Sequence, residues 1–129
     1  MNCTAYQKEA HKFAAYGGNA NYPALGLCEE AGEVAGKIAK FIRKHNGVEP
    51  QTIDNAKLLV DKKIMNADFI DDCQKFRNDI CKELGDVCWM VAELCTVFEL
   101  NLDDVLDNNI VKLTDRAERG VIIGEGDNR

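Results

Sequence analysis

Apolar residues recur along most of this chain at intervals of three and four, the period of a helix with one buried side. The clearest run, Ile80, Leu84, Val87, Val91, Leu94 and Phe98, predicts a long helix over 75–99 with that seam facing inward. A second seam, Cys28, Ala31, Ala35, Ile38 and Ile42, predicts a helix opening at Asn21-Tyr22-Pro23. Proline in that first turn forfeits no hydrogen bond. A first helix is expected over 4–16, capped by Thr4 and stopped by Gly17-Gly18-Asn19. Asn46-Gly47 and Pro50 interrupt the pattern, and a short helix over 52–63 follows, with Ala56, Leu58, Leu59 and Val60 as its apolar part. Asn66 is a candidate cap for the next segment, whose Asp68, Asp71 and Asp72 fit a solvated first turn facing a helix dipole. Asn101 is expected to cap a last helix whose apolar face is Leu102, Leu106, Ile110 and Leu113. After Gly120 the tail reads as extended.

These periods, together with only two prolines and a low aromatic content, predict an all-α fold. At 129 residues the chain is expected to form one helical domain over 1–129, in which 46–75 is an elaboration between the two major helices. The formal charge of −6, with Lys and Arg dispersed, argues against a nucleic-acid polymer as partner. The longest apolar stretch, 87–98, is broken by Glu93 and is too short to span a bilayer. Neither a membrane nor a secretory signal is expected, and the cytoplasm is the expected compartment. The six cysteines include no Cys-x-x-Cys pair, and they read as small buried apolar residues.

The polar positions carry the candidate chemistry. Glu30 and Glu33 are three apart on the second helix, and Glu83 and Asp86 are three apart on the long one, so each pair shares a helix face. If the two helices meet face to face, four carboxylates converge, and each like-charged pair at ~5 Å costs roughly 3 kcal/mol at an effective dielectric of ~20. Cations must offset that cost. With no His or Cys among the acids, an oxygen-preferring ion, Mg2+ or Mn2+, suits the donor set. Glu33 continues into Lys37, Lys40 and Lys44, so one end of the stripe is acidic and the other basic; the plain alternative is a solvated face with Glu33–Lys37 pairing. Gly32 and Gly36, costly within a helix, favour a close approach of a second backbone. On the last helix, Asn109, Lys112 and Arg116 form a polar stripe able to hold phosphate oxygens. Positive charge complementing the helix dipole explains that stripe equally well.

The words Gly26-Leu27-Cys28-Glu29-Glu30-Ala31-Gly32-Glu33-Val34, Glu83-Leu84-Gly85-Asp86-Val87, Asn109-Ile110-Val111-Lys112-Leu113 and the Gly-Asp-Asn-Arg ending resemble the MazG-like, all-α nucleoside triphosphate pyrophosphohydrolases. The resemblance covers nearly the whole chain except the middle segment, where 49 positions separate Glu33 from Glu83, more than is usual in that family. It implies an antiparallel bundle of four to five helices, completed as a homodimer or homotetramer. It also implies Mg2+-dependent hydrolysis of (deoxy)nucleoside triphosphates to a monophosphate and pyrophosphate. By position, Glu30, Glu33, Glu83 and Asp86 would hold the metal, Glu30 or else Glu29 would accept the water proton, and Asn109, Lys112 and Arg116 would hold phosphates. Gln7, His11 and Asn21, with Phe13, are the corresponding candidates for base recognition. The competing expectation is a non-catalytic helical dimer on the same fold that serves regulation. A di-iron carboxylate bundle fits less well, because His11 and His45 lie outside the acidic motifs.

Overall fold

The structure is a computed structural model in which residues 1–126 are described. The described residues contain five helices and no strand: α1 (Cys3–His11), α2 (Asn21–Lys44), α3 (Ile53–Asp61), α4 (Asp68–Val97) and α5 (Leu102–Glu118). They group into two compact units, residues 21–91 and residues 1–20 with 92–126. The last three residues of the Gly-Asp-Asn-Arg ending lie outside the described residues.

In the unit spanning 21–91, α2 and α4 lie side by side and antiparallel. Contacts run in opposite order along them: Gly26 with Met90, Lys37 with Glu83, Phe41 with Phe76 and Phe69, and Lys44 with Asp72. The core sits toward the carboxyl end of α2. There Phe41, Ala56 of α3, Phe69 and Cys73 are buried, and Ile53, Leu59, Val60 and Phe76 pack against them. The stretch expected to be an elaboration therefore supplies much of this unit's hydrophobic contact. Thr52 caps α3 by accepting from the Asn55 N–H at 3.3 Å. Asn46 and Gly47 both take positive φ, and the Gly47 N–H returns to the Ile42 carbonyl at 2.9 Å, so this turn ends α2 where the Asn-Gly pair placed it.

Four expectations are corrected here. The long helix begins at Asp68 rather than near 75, because Phe69, Cys73 and Phe76 extend its inward line by two turns. That inward line runs Phe69, Cys73, Phe76, Ile80, Glu83, Val87 and Met90, so Leu84 of the anticipated seam is 47% exposed. On α2 the buried positions are Pro23, Gly26 and Phe41, whereas Cys28, Ala31, Ala35 and Ile38 face outward. Close approach falls at Gly26, where an added Cβ would lie 2.6 Å from Met90 Sδ; nothing lies within 4 Å of such an atom at Gly32 or Gly36.

In the other unit, α1 is capped by Asn2, whose Oδ1 accepts from the Ala5 N–H at 2.8 Å, and the helix stops at His11. Thr4, expected as that cap, instead sits inside the helix and donates both its N–H and its hydroxyl to Asp103 at the start of α5. Those hydrogen bonds hold the Asp103 carboxyl below the ordinary aspartate range. Asn101 caps α5 as expected, accepting from the Asp103 N–H at 2.8 Å. Of the apolar face anticipated on α5 only Leu102 is buried, and Ile110 is 62% exposed. The cysteines are all free thiols; Cys73 and Cys95 are buried, but Cys28, Cys81 and Cys88 are exposed, against the expectation of burial.

Candidate metal centre

Within the 21–91 unit, the antiparallel run of α2 beside α4 brings Glu30, Glu83 and Asp86 together. One carboxylate oxygen from each lies within 4.8 Å of the other two. The reason is local. Glu83 belongs to the inward line of α4 and is only 13% exposed, while Asp86, one turn on, stands exposed at the edge of that line. Glu30 lies on the inward side of α2 between Gly26 and Phe41 and is half-buried. Glu33 and Glu29 are exposed and outside the convergent trio, yet near enough to act on it. The Glu30 carboxyl is held above the ordinary glutamate range, first by burial and then by the negative charges of Asp86, Glu33, Glu29 and Glu83.

The fit to a cation is direct. Three carboxylates converge, burial and then their mutual repulsion raise the pKa of Glu30, and every donor is a hard oxygen. A cationic group is already drawn in: Lys37 Nζ lies 3.1 Å from Glu83 Oε1, and that contact raises the ammonium's own pKa. Pairing of Glu33 with Lys37 at i, i+4 was the plain alternative read from the sequence, and the partner of Lys37 is instead Glu83 on the neighbouring helix. Spacing along α2 gives no signal for that contact, which depends on which α4 turn lies opposite.

The remaining candidates are distributed as follows. Asn109, Lys112 and Arg116 are on α5, in the unit that contains residues 92–126; Asn109 and Lys112 are exposed, whereas the Arg116 side chain is buried and reaches the Gly126 carbonyl at 3.5 Å. Asn21 is the exposed first residue of α2. Both ends of the Gln7 amide are engaged in holding its unit together, donating to Thr96 Oγ1 and the Leu100 carbonyl and accepting from the Leu102 N–H. His11 Nδ1 lies 2.9 Å from Glu93 Oε2, to which the Tyr16 hydroxyl also donates at 2.6 Å. Phe13 is 77% exposed.

Glu93 is a polar residue whose part was missed. It is fully buried within an otherwise apolar stretch, and one of its oxygens serves both His11 and Tyr16. The Tyr16 phenol is pushed up to about 12 by burial and by Glu93. A glutamate interrupting the apolar run 87–98 was the available sign, since a carboxylate there requires donors.

Among the described residues the protein is thus all-helical, with two long antiparallel helices that converge three carboxylates into a cluster of hard oxygens. The MazG nucleotide pyrophosphohydrolase domain matches residues 21–121, and the chain belongs to that family. It is also similar to the Gene 37 protein of Mycobacterium phage L5, with 34% identity over 137 aligned positions that cover all of both chains. No solved structure matches. Among the described residues no helix is long and apolar enough to cross a membrane.

Proposed function

We propose that the protein hydrolyses (deoxy)nucleoside triphosphates between the α- and β-phosphates, yielding a monophosphate and pyrophosphate, in control of the cellular nucleotide pool. The observation that carries this reading is the convergence of Glu30, Glu83 and Asp86 inside the span that matches the family. Three carboxylates whose oxygens lie within 4.8 Å of one another repel, and a bound cation would offset that repulsion. The family match runs through residues of both units, which favours a single MazG-like domain.

Glu30, Glu83 and Asp86, with Glu33 at the periphery, would hold Mg2+ or Mn2+, which when bound supplies charge neutralisation for a polyphosphate and acidifies water. The chain's own residues do the rest. Glu30 accepts the proton of the attacking water, and Glu29, exposed one position earlier, is the second choice for that role. Lys112 and Arg116 hold phosphate oxygens with Asn109 and stabilise charge on the departing pyrophosphate. His11 and Asn21 are the candidates for contact with the base; Gln7, whose amide is committed within its unit, contributes by positioning α1.

The outward apolar positions on α2 and α5, including Ile38, Ile110 and Val111 at 67% exposure, favour a homodimer or homotetramer. The competing reading, a non-catalytic helical regulator, would account for those apolar faces but not for the converging acids. A screen of the common ribo- and deoxynucleoside triphosphates for pyrophosphate release with Mg2+ separates the two. We expect release from at least one nucleotide, and no release from any would leave the regulator reading in its place.

A further inference from the structure

Beside the acidic cluster, still within the 21–91 unit, the carboxyl half of α2 and the facing turns of α4 border a cleft of the opposite sign. Lys37, Lys40 and Lys44, spaced three and four apart on one face of α2, line it together with Lys75 of α4. Phe41 and Phe76, whose ring centroids are 5.3 Å apart, also line it. Two carboxylates, Asp72 and Asp79, belong to the same cleft, and each already has a nitrogen-bearing neighbour from beyond it. His45 Nε2 lies 3.1 Å from Asp72 and Lys82 Nζ lies 3.6 Å from Asp79. Lys44 is tied to Asp72 at 2.6 Å and Lys37 to Glu83, while Lys40 and Lys75 form no ion pair among the described residues. A protein of net charge −6 thus keeps four ammonium groups around one aromatic-walled hollow, and the first of them touches the metal centre.

We infer that this lysine cleft is a polyphosphate-binding groove, running on from the acidic cluster, that takes up the pyrophosphate after it has left the substrate. Orthophosphate spans too little to meet several ammonium groups on successive helical turns, whereas a linked phosphate chain carries its charges in a row, as these lysines are arranged. The aromatic wall removes water from one side of the groove and so strengthens each charge contact. Lys37, which lines the cleft and pairs with Glu83 of the acidic cluster, is the joint between the two sites. The groove rests on the proposed hydrolysis only for the origin of its anion, since binding of free pyrophosphate requires no turnover.

The test is calorimetric titration of inorganic pyrophosphate, and separately of orthophosphate, into the full chain in EDTA. The protein should bind pyrophosphate more tightly than orthophosphate. The exposed pair Lys40→Ala/Lys75→Ala should weaken pyrophosphate binding by about tenfold, the scale of two partly solvated charge contacts. Unchanged helicity would certify its fold, and Lys57→Ala/Lys62→Ala, on and next to α3, should bind as the parent does. Equal affinity in parent and cleft variant, an equal loss in the α3 control, or no preference for pyrophosphate would overturn the groove. Pyrophosphate release that persists alongside any of these results would leave the hydrolase reading standing. A groove that behaves as expected in a chain that cleaves no nucleotide would leave only the groove.

Discussion

Glu30→Gln removes one charge from the acidic cluster while preserving side-chain size. At 4.8 Å, two like charges repel by about 0.9 kcal/mol in bulk water and about 3.5 kcal/mol at an effective dielectric of 20. Asp86 is exposed and Glu30 half-buried, which places each pair near the lower figure, and Lys37 already offsets part of the Glu83 charge. Loss of both repulsions involving Glu30 therefore stabilises the metal-free protein by about 1 kcal/mol, or about 4 °C in Tm for a chain of this size. The pH dependence has a definite sign. Because the folded-state pKa of Glu30 is raised, its ionisation destabilises the fold as pH rises through and above the ordinary glutamate value, and the penalty vanishes below it. The advantage of the variant should thus be present at about pH 7 and absent below about pH 4. With Mg2+ the order inverts: the parent gains about 2.7 kcal/mol at one hundred times the dissociation constant, while the variant gains far less. Scanning calorimetry in EDTA and in Mg2+ measures both. A variant less stable than the parent in EDTA, or an equal Mg2+ gain in the two, would refute the cluster as a cation site.

Gly26→Ala should destabilise by about 1–2 kcal/mol, since its Cβ meets the buried Met90 side chain and overpacking outweighs the helix-propensity gain of alanine. Denaturant unfolding should show part of that loss recovered when Met90→Ala is added, as expected for residues in contact. Spectroscopic titration of the phenols should find Tyr16 ionising near 12; its contribution to stability is intact below pH 10 and is lost as pH rises from 10.0 to about 12. Tyr16→Phe removes that pH dependence. Lys112→Ala should weaken binding of a non-cleavable triphosphate analogue more than binding of the monophosphate, and equal losses in a titration would remove Lys112 from the phosphate site.

The helices were legible because strong 3.6-residue periods and local punctuation agree: Asn101 caps α5, Asn46-Gly47 closes α2, and Pro23 occupies the first turn of α2. The meeting of Glu30 with Glu83 and Asp86 was legible for the same reason, since i, i+3 spacing fixes which acids share a face. Which face turns inward was harder. Helix α2 carries apolar residues on more than one side, and the side that docks is selected by Phe69, Cys73 and Ala56, which are distant in sequence. The cap of α1 was misplaced by two residues because Asn2 and Thr4 are both competent, and Asp103 claims Thr4 only once α5 is folded. The partners of Lys37 and Glu93 were not legible because they lie far away in the chain, Glu83 for the first and His11 and Tyr16 for the second.

The convergent acids are proposed to form a metal-dependent centre for cleavage next to the sugar. Its most direct test is 31P NMR of a nucleoside triphosphate turned over in 18O-enriched water with Mg2+, by the parent and by Glu83→Gln. The parent should yield unlabelled pyrophosphate and a monophosphate carrying the label, and the variant neither. Orthophosphate with a diphosphate as the products, or undiminished turnover by Glu83→Gln, would contradict it.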